Sequence, residues 1–302
     1  MKAIKRFAYV VGVVAVAAGI GFWVRPVSYL AEATYAREFL TGVSSRSIAV
    51  AGYRMHYLVE GPADGPVVVL VHGLGGEAED WRKLAPYLVR AGFRVYIPDL
   101  PGYGRSEWPA GFSYSIHDEA EAVVGFLDAL ELKQVDLGGW SMGGWIVQVV
   151  AARHPERVRR LMLFDSAGIY ERPNWDTRLF TPESVGELDQ LETLLTPNPT
   201  KIPGFVGRDI VRLSDEHAWV IRRAVASMLT GQDATDNLLP GLRMPVLIVW
   251  GKEDKITPLD QAEKIHQLVP QSQLEVFAGC GHLAPGQCTG QIGPKVVEFV
   301  KR

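Results

Sequence analysis

Six short apolar runs, rich in β-branched residues, alternate along the chain with longer stretches of helical periodicity. The runs cover residues 67–71, 94–97, 135–137, 158–164, 246–250 and 274–277. The helical stretches cover residues 80–91, 116–130, 142–154, 259–268 and 290–300. Strands that are apolar on both faces and separated by helices favour a mostly parallel sheet. Ahead of them, alternation from residue 48 onwards predicts two antiparallel strands that turn at Ala51 and Gly52.

Between residues 168 and 243 this alternation stops, and six prolines punctuate two helical patterns. Ser214 is a good N-cap for the second pattern, whose apolar face includes Val220 and Ala224 and which ends at Gly231. We expect the segment to be an insertion outside the sheet. A helix packed on the core and a lid over a site would show the same apolar face, so the position of the segment must distinguish the two.

The first residues of the chain have the composition of a membrane segment. Lys2, Lys5 and Arg6 precede an uninterrupted apolar run over residues 7–24, which is close to the length of a helix that spans a bilayer. A cleaved secretory signal is the alternative, with a small-x-small site at residues 15–17. The apolar run continues past that site, which favours an uncleaved anchor. Because the basic residues lie mainly before the run, we expect the amino terminus in the cytoplasm and the remainder of the chain across the membrane; secretion after signal cleavage stays open.

The predicted organisation is an anchor or signal at 1–26, a connector at 27–47, a core at 48–167 and 244–302, and a helical cap (lid) at 168–243. At 302 residues and 47% hydrophobic composition, the chain can bury one large core. A net charge of -3 argues against nucleic acid as a partner, and a small neutral or acyl substrate fits the charge better. The two cysteines, Cys280 and Cys288, lack the spacing of a zinc or redox site, and no cofactor or metal is implied.

The strongest chemical motif is a GxSxG sequence, Gly139-Trp140-Ser141-Met142-Gly143, which stands directly between an apolar strand and a helical pattern. A serine on such a sharp turn projects its hydroxyl above the sheet, and the flanking glycines relieve crowding. A serine hydroxyl is a weak nucleophile, so it needs a base that a third group orients. Ser141 is therefore the predicted nucleophile.

Two strand-end loops supply the partners of Ser141. Asp254 follows the run at 246–250 and His282 follows the run at 274–277, so both are expected at the carboxyl edge of the sheet beside Ser141. Asp165 follows the run at 158–164 and is a rival for the acid, although the Gly-x-x-Asp turn favours Asp254. The remaining histidines, His56 among them, have no paired partner in the sequence pattern and are interpreted as surface or packing residues.

Acyl transfer also needs two donors for the oxyanion. The predicted donors are the backbone N–H of Met142, which follows the nucleophile, and the backbone N–H of Leu74 in the glycine-rich turn at 72–76. A phosphate cradle is the alternative for that turn, but the turn has neither the Walker lysine nor GxGxxG spacing.

With these motifs the sequence resembles the α/β-hydrolase superfamily over residues 52–300, and residues 99–106 look like its DxxGxGxS turn. The resemblance implies an α/β-hydrolase fold: a mostly parallel sheet flanked by helices, with the 168–243 insertion as a cap over the site, here preceded by an N-terminal membrane helix. The anchor and the motifs around Ser141, Asp254 and His282 are similar to those of membrane-anchored monoacylglycerol lipases and related bacterial lipases. The expected activity is therefore a serine carboxylesterase or lipase, whose cap aromatics Trp175, Phe180, Phe205 and Trp219, with Leu179, are available to line an acyl-sized cavity.

Two rival functions remain open. The Ser-Met-Gly-Gly elbow also occurs in carbon–carbon bond hydrolases of the same fold, and the scaffold also allows a non-catalytic, membrane-tethered binding protein.

Where relatives commonly have Glu-x-Pro after the catalytic histidine, this chain has Gln287, Cys288 and Thr289. A disulfide between Cys280 and Cys288 around His282 is a hypothesis for an extracytoplasmic domain, against the commoner state of a buried free cysteine.

Overall fold

The computed structural model describes Gly19 and residues 21–302, apart from the side chains of residues 36–40. Most of the predicted membrane segment, residues 7–24, lies outside the described residues. Within the described part of the chain, no helix combines the length and the apolar composition that crossing a bilayer requires.

The described residues form one eight-stranded sheet in the order β1-β2-β4-β3-β5-β6-β7-β8. Its strands are β1 (Ser44–Val50), β2 (Tyr53–Glu60), β3 (Val67–Val71), β4 (Arg94–Pro98), β5 (Val135–Trp140), β6 (Val158–Phe164), β7 (Val246–Gly251) and β8 (Gln273–Phe277). Strand β2 pairs antiparallel with β1 and β4, and the remaining pairs are parallel. The predicted mostly parallel sheet with an antiparallel hairpin at its start is confirmed.

The helices of the described residues surround this sheet. They are α1 (Pro26–Thr41), α2 (Ala85–Arg90), α3 (Ile116–Ala129), α4 (Met142–Arg153), α5 (Val185–Leu195), α6 (Gly204–Met228), α7 (Leu259–Leu268), α8 (Ala284–Gln287) and α9 (Thr289–Val300). Helix α1 occupies most of the predicted connector. The chain between β6 and β7, residues 165–245, contributes no strand to the described sheet and carries α5 and α6; we call it the inserted segment.

Two apolar clusters cover the opposite faces of the sheet. In β3, Val69 and Val71 belong to one cluster while Val68 and Leu70 belong to the other, as alternating side chains of a strand require. Helices α3, α4 and α7 contribute buried residues to the first cluster, and α2 and α9 contribute to the second. Burial on both faces explains why the central strands are continuous apolar runs.

Two predicted helices differ in the structure. The pattern at 80–91 is divided into a 3₁₀ turn, Ala78–Lys83, and α2, because Pro86 lacks the N–H that a continuous helix would need. The helix predicted to begin after Ser214 begins at Gly204, so the N-cap prediction for Ser214 is wrong. The earlier turns pack tightly: Gly207 is buried, and a Cβ there would lie 2.9 Å from Val185 Cγ1 of α5. Tertiary packing thus overrides the local capping preference of Ser214.

Candidate active site

Ser141 lies at the sharp turn between β5 and α4. Its backbone has φ 57° and ψ −119°, a left-handed conformation that non-glycine residues rarely adopt. Hydrogen bonds to neighbouring strand ends hold it, because Ser141 N–H donates to Phe164 O at 3.0 Å and Ala167 N–H donates to Ser141 O at 3.0 Å. A Cβ on Gly139 would collide with the carbonyl of Gly143. The glycines of the motif are therefore required by the close approach of the backbone on either side of the serine.

The structure brings the three predicted residues Ser141, His282 and Asp254 together. His282 Nε2 lies 2.8 Å from Ser141 Oγ, and His282 Nδ1 lies 2.8 Å from Asp254 Oδ2. The histidine and the aspartate are buried, and Ser141 is 9% exposed. They follow β5, β7 and β8, which all end at the same edge of the sheet. This geometry suits removal of a proton from a serine hydroxyl, while the catalytic roles of the three residues stay predictions.

Asp254 accepts hydrogen bonds from its own loop as well as from His282. Its Oδ1 accepts from Ile256 N–H at 2.8 Å and from Thr257 N–H at 3.0 Å, and its Oδ2 accepts from Thr257 Oγ1 at 2.7 Å. These three donors fix the orientation of the carboxylate. Asp254 is thereby held ready to orient the imidazole.

The rival acid, Asp165, lies close by but has a different environment. Its Oδ1 accepts from Gly251 N–H at 2.7 Å, and its contacts fix the end of β7 rather than the imidazole. Burial, and then the neighbouring Asp254, raise the pKa of Asp165 well above its usual range. The contacts of Asp165 and the direction of its pKa shift both distinguish it from Asp254, to which the histidine bonds.

The His282 loop is held by three contacts that sequence reasoning missed or left open. Cys280 and Cys288 form a disulfide, with Cα atoms 6.2 Å apart, so the buried free cysteines that the sequence favoured are not observed. Trp140 Nε1 donates to His282 O at 2.7 Å. Glu253 Oε2 accepts from Gly279 N–H at 2.9 Å and joins the acid loop to the base loop. None of these pairings leaves a periodic signal, because each joins residues that are brought together by the fold.

The glycine-rich turn after β3 lies directly beside the nucleophile. A Cβ on Gly73 would lie 3.1 Å from Ser141 Cβ, and Leu74 lines the same cavity as Ser141. Met142 is buried at the first turn of α4, where backbone N–H groups have no acceptor within the helix. His72 steadies the turn, since its Nδ1 lies 2.8 Å from Gly73 O and its Nε2 accepts from Leu100 N–H at 3.0 Å. These positions are compatible with the predicted oxyanion donors Leu74 and Met142, whose role stays a prediction.

A cavity of about 110 Å³ opens beside Ser141. Its walls come mainly from apolar side chains of the core and the inserted segment, namely Leu74, Trp145, Ile169, Trp175, Phe180, Val225, Met228, Leu229 and Ile256. Arg172 and Glu171 stand among the polar residues of its lining. Trp175 and Phe180 thus line the cavity, as expected from the sequence for the cap aromatics. The other aromatics lie elsewhere: Phe205 stacks on Trp23, and Trp219 packs against Tyr114.

A second Ser–His–Asp array connects the first strands to the loop after β4. His56 Nε2 lies 2.9 Å from Ser45 Oγ, and His56 Nδ1 lies 2.7 Å from Asp99 Oδ2. The interpretation of His56 as a residue without a partner is therefore wrong. Asp99 also accepts from Ala78 N–H at 2.6 Å and from Arg105 N–H at 2.9 Å, so it ties several backbone segments together. Ser45 is exposed on β1, away from the cavity that Ser141 lines.

The family model for the alpha/beta hydrolase fold matches residues 66–189 and 225–286, which is more than half of the chain. The chain belongs to the α/β-hydrolase family. Among curated relatives, this hydrolase is 33% identical to a 2-hydroxy-6-oxo-2,4-heptadienoate hydrolase of Pseudomonas putida, over 72% of this chain and 83% of the relative. It is 30% identical to a 2-hydroxymuconate semialdehyde hydrolase of a Pseudomonas species, over 84% of this chain and 93% of the relative.

Among solved structures, the hydrolase superposes on a bacterial membrane phospholipase A with a TM-score of 0.83 and 27% identity. The match covers 98% of both chains. So complete a match leaves only a few residues of this chain outside it, and it therefore includes helix α1 as well as the sheet.

Proposed function

We propose that this hydrolase cleaves carboxylic esters of acyl lipids through an acyl-enzyme on Ser141. The observation that carries the proposal is the position of Ser141: its hydroxyl is hydrogen-bonded to His282 and faces a cavity with mainly apolar walls. An apolar cavity beside the nucleophile suits an acyl chain. The match to a membrane phospholipase A over 98% of both chains supports a phospholipid or lysophospholipid as the source of that chain.

In the proposed mechanism, Ser141 Oγ attacks the ester carbonyl while His282 Nε2 takes its proton. Asp254 holds the imidazole by Nδ1 and stabilises the imidazolium that forms. The N–H groups of Leu74 and Met142 bind the oxyanion, and removing one such donor typically costs about 10²–10³-fold in rate. His282 then gives the proton to the departing alcohol, and a water molecule releases the acid from Ser141 in the same way.

Attachment to a membrane is part of the proposal. The apolar run at residues 7–24 would anchor the chain, and the Cys280–Cys288 disulfide favours an oxidising, extracytoplasmic compartment for the catalytic domain. An anchored enzyme would meet its lipid substrate without leaving the bilayer surface. The two relatives described above give no support to the monoacylglycerol specificity that the sequence suggested.

Hydrolysis of a carbon–carbon bond is the second candidate, and sequence similarity favours it. The Pseudomonas hydrolases are 30–33% identical to this chain, more than the 27% of the phospholipase. A dienoate substrate carries a carboxylate, for which Arg172 in the cavity lining would be a suitable partner. The same Ser141 and His282 would serve this reaction.

One panel of substrates separates the two candidates. Purified full-length protein in detergent would be assayed with p-nitrophenyl esters of increasing chain length, a monoacylglycerol, a phosphatidylcholine, its lyso form and 2-hydroxy-6-oxo-2,4-heptadienoate. We expect turnover of the acyl esters that disappears in Ser141→Ala and persists in Ser45→Ala, the matched serine of the second array. Turnover of the dienoate without turnover of any ester would replace the proposal by the second candidate. Activity or fluorophosphonate labelling that persisted in Ser141→Ala would show that Ser141 is not the nucleophile.

A further inference from the structure

Helix α1 touches both the inserted segment and the core. Its first turn lies against α6 of the inserted segment, where Val27 N–H donates to Asp209 Oδ2 at 2.9 Å. One turn before, the Trp23 and Phe205 rings stack with centroids 4.5 Å apart. Further along α1, Tyr35 Oη donates to Glu77 Oε2 at 3.3 Å, and the Arg105 guanidinium lies 4.2 Å from the Tyr35 ring centroid. Helix α1 therefore connects α6 with the core loops that follow β3 and β4.

Asp209 is the centre of the contact between α1 and α6. The residue is 2% exposed, and its carboxylate caps α1 from another helix, because the N–H groups of a first helical turn have no acceptor of their own. A negative charge there also complements the dipole of α1. Arg25, the residue directly before α1, makes no side-chain hydrogen bond to the first turn of the helix. The capping group comes from residue 209 instead.

The buried carboxylate of Asp209 is fully compensated. Arg212 donates to Asp209 Oδ1 from Nη2 at 2.7 Å and from Nε at 3.1 Å, and the same guanidinium donates to Ser28 Oγ at 3.2 Å. Burial opposes ionisation, but Arg212 and the amides of Val27 and Ser28 hold the pKa of the Asp209 carboxyl below its usual range. The charge that caps α1 is thus present at neutral pH.

The other end of α6 forms part of the substrate cavity. Val225 and Met228 line the cavity together with Ser141. Asp209 and Val225 belong to the same uninterrupted helix, and at about 1.5 Å per residue they lie about 24 Å apart along its axis. Because a continuous helix moves largely as one body, a contact that holds residue 209 also restricts the movement of the end of α6 that lies at the cavity.

We propose that Asp209 is a positioning residue for the substrate cavity. By capping α1, which is braced on the core, it sets where α6 lies over the cavity and therefore how long an acyl chain the cavity accepts. The proposal rests on ester hydrolysis as the function of the site. It also means that α1, which follows the predicted membrane anchor, contacts the helix whose other end forms part of the cavity wall.

The test compares Asp209→Ala and Asp209→Asn with Glu216→Gln in the full-length protein. Glu216 is the matched control, since it is exposed on α6 and, among the described residues, forms its hydrogen bond and ion pair with the same Arg212, at 2.5 Å, rather than with α1. For Asp209→Ala we expect KM for long-chain p-nitrophenyl esters to rise about threefold to tenfold, as for a coupling of modest size. kcat for the butyrate ester and the rate of Ser141 labelling by a small fluorophosphonate should stay within twofold of wild type. Asp209→Asn should be intermediate, because its amide oxygen still accepts from Val27.

Hydrogen exchange gives a second measurement that needs no substrate. Amides of α6 and of the first turns of α1 should exchange faster in Asp209→Ala than in Glu216→Gln. Equal KM values and equal exchange in these two variants would overturn the proposal, as would an equal loss on short and long esters together with slower labelling. If Asp209→Ala does not fold, Asp209→Asn carries the same comparison. A wild type without ester turnover would refute the proposed function, while the exchange result would still show whether Asp209 holds α1 against α6.

Discussion

At the scale of single residues, the two neighbouring carboxyl groups of the site differ in what they bind. Asp254 lies 2.8 Å from the His282 imidazole, whereas Asp165 bonds to Gly251 N–H, and burial and Asp254 itself raise its pKa. We therefore expect Asp254→Asn to lower kcat by about 10³–10⁴-fold, because an amide cannot stabilise the imidazolium and favours the wrong tautomer. Asp165→Asn leaves the contact between His282 and Asp254 in place and keeps an acceptor for Gly251 N–H, so it should change kcat less than tenfold. Steady-state kinetics on one ester substrate, with circular dichroism to verify folding, make the comparison. The reverse ranking would reassign the acid to Asp165.

At the scale of elements, the disulfide encloses the short helix α8 and the loop that carries His282. Closing a loop of this size is worth roughly 2–3 kcal/mol in the chain-entropy description. We expect reduction with a phosphine to lower kcat, with KM nearly unchanged, because the imidazole loses its fixed place while the cavity keeps its walls. The thermal midpoint should fall in the same samples.

The matched control for the disulfide is the Cys280→Ala/Cys288→Ala double variant, on which the phosphine should have no effect. The double variant should itself resemble the reduced wild type. If mass spectrometry shows two free thiols in a wild-type sample of undiminished kcat, the disulfide has no part in positioning His282.

Features that follow from the order of strands and helices could be predicted from the sequence. Ser141, Asp254 and His282 were located because each follows an apolar run, and parallel strands end at one edge of the sheet. The start of α6 and the role of Asp209 could not be found in this way. The start of α6 depends on packing of Gly207 against Val185 of α5, and the local signal at Ser214 pointed to a different boundary. The contact of Asp209 with Val27 joins residues 182 positions apart. The disulfide was one of two possible states of the same two cysteines, and only their distance in the fold decides between them.

At the scale of the whole molecule, the predicted anchor and the disulfide both concern one question, the location of the catalytic domain. We expect the full-length chain, produced in a bacterium with a periplasm, to stay in the membrane fraction after an alkaline carbonate wash, and a variant without residues 1–26 to be released. The apolar run at 7–24 gives the physical reason, since its burial in lipid does not depend on ionic contacts. Protease added to spheroplasts should digest the catalytic domain, and its disulfide should be intact before lysis. A domain protected from protease, with both thiols free, would place it in the cytoplasm and contradict the proposed orientation. Release of the full-length chain by carbonate would contradict the anchor alone.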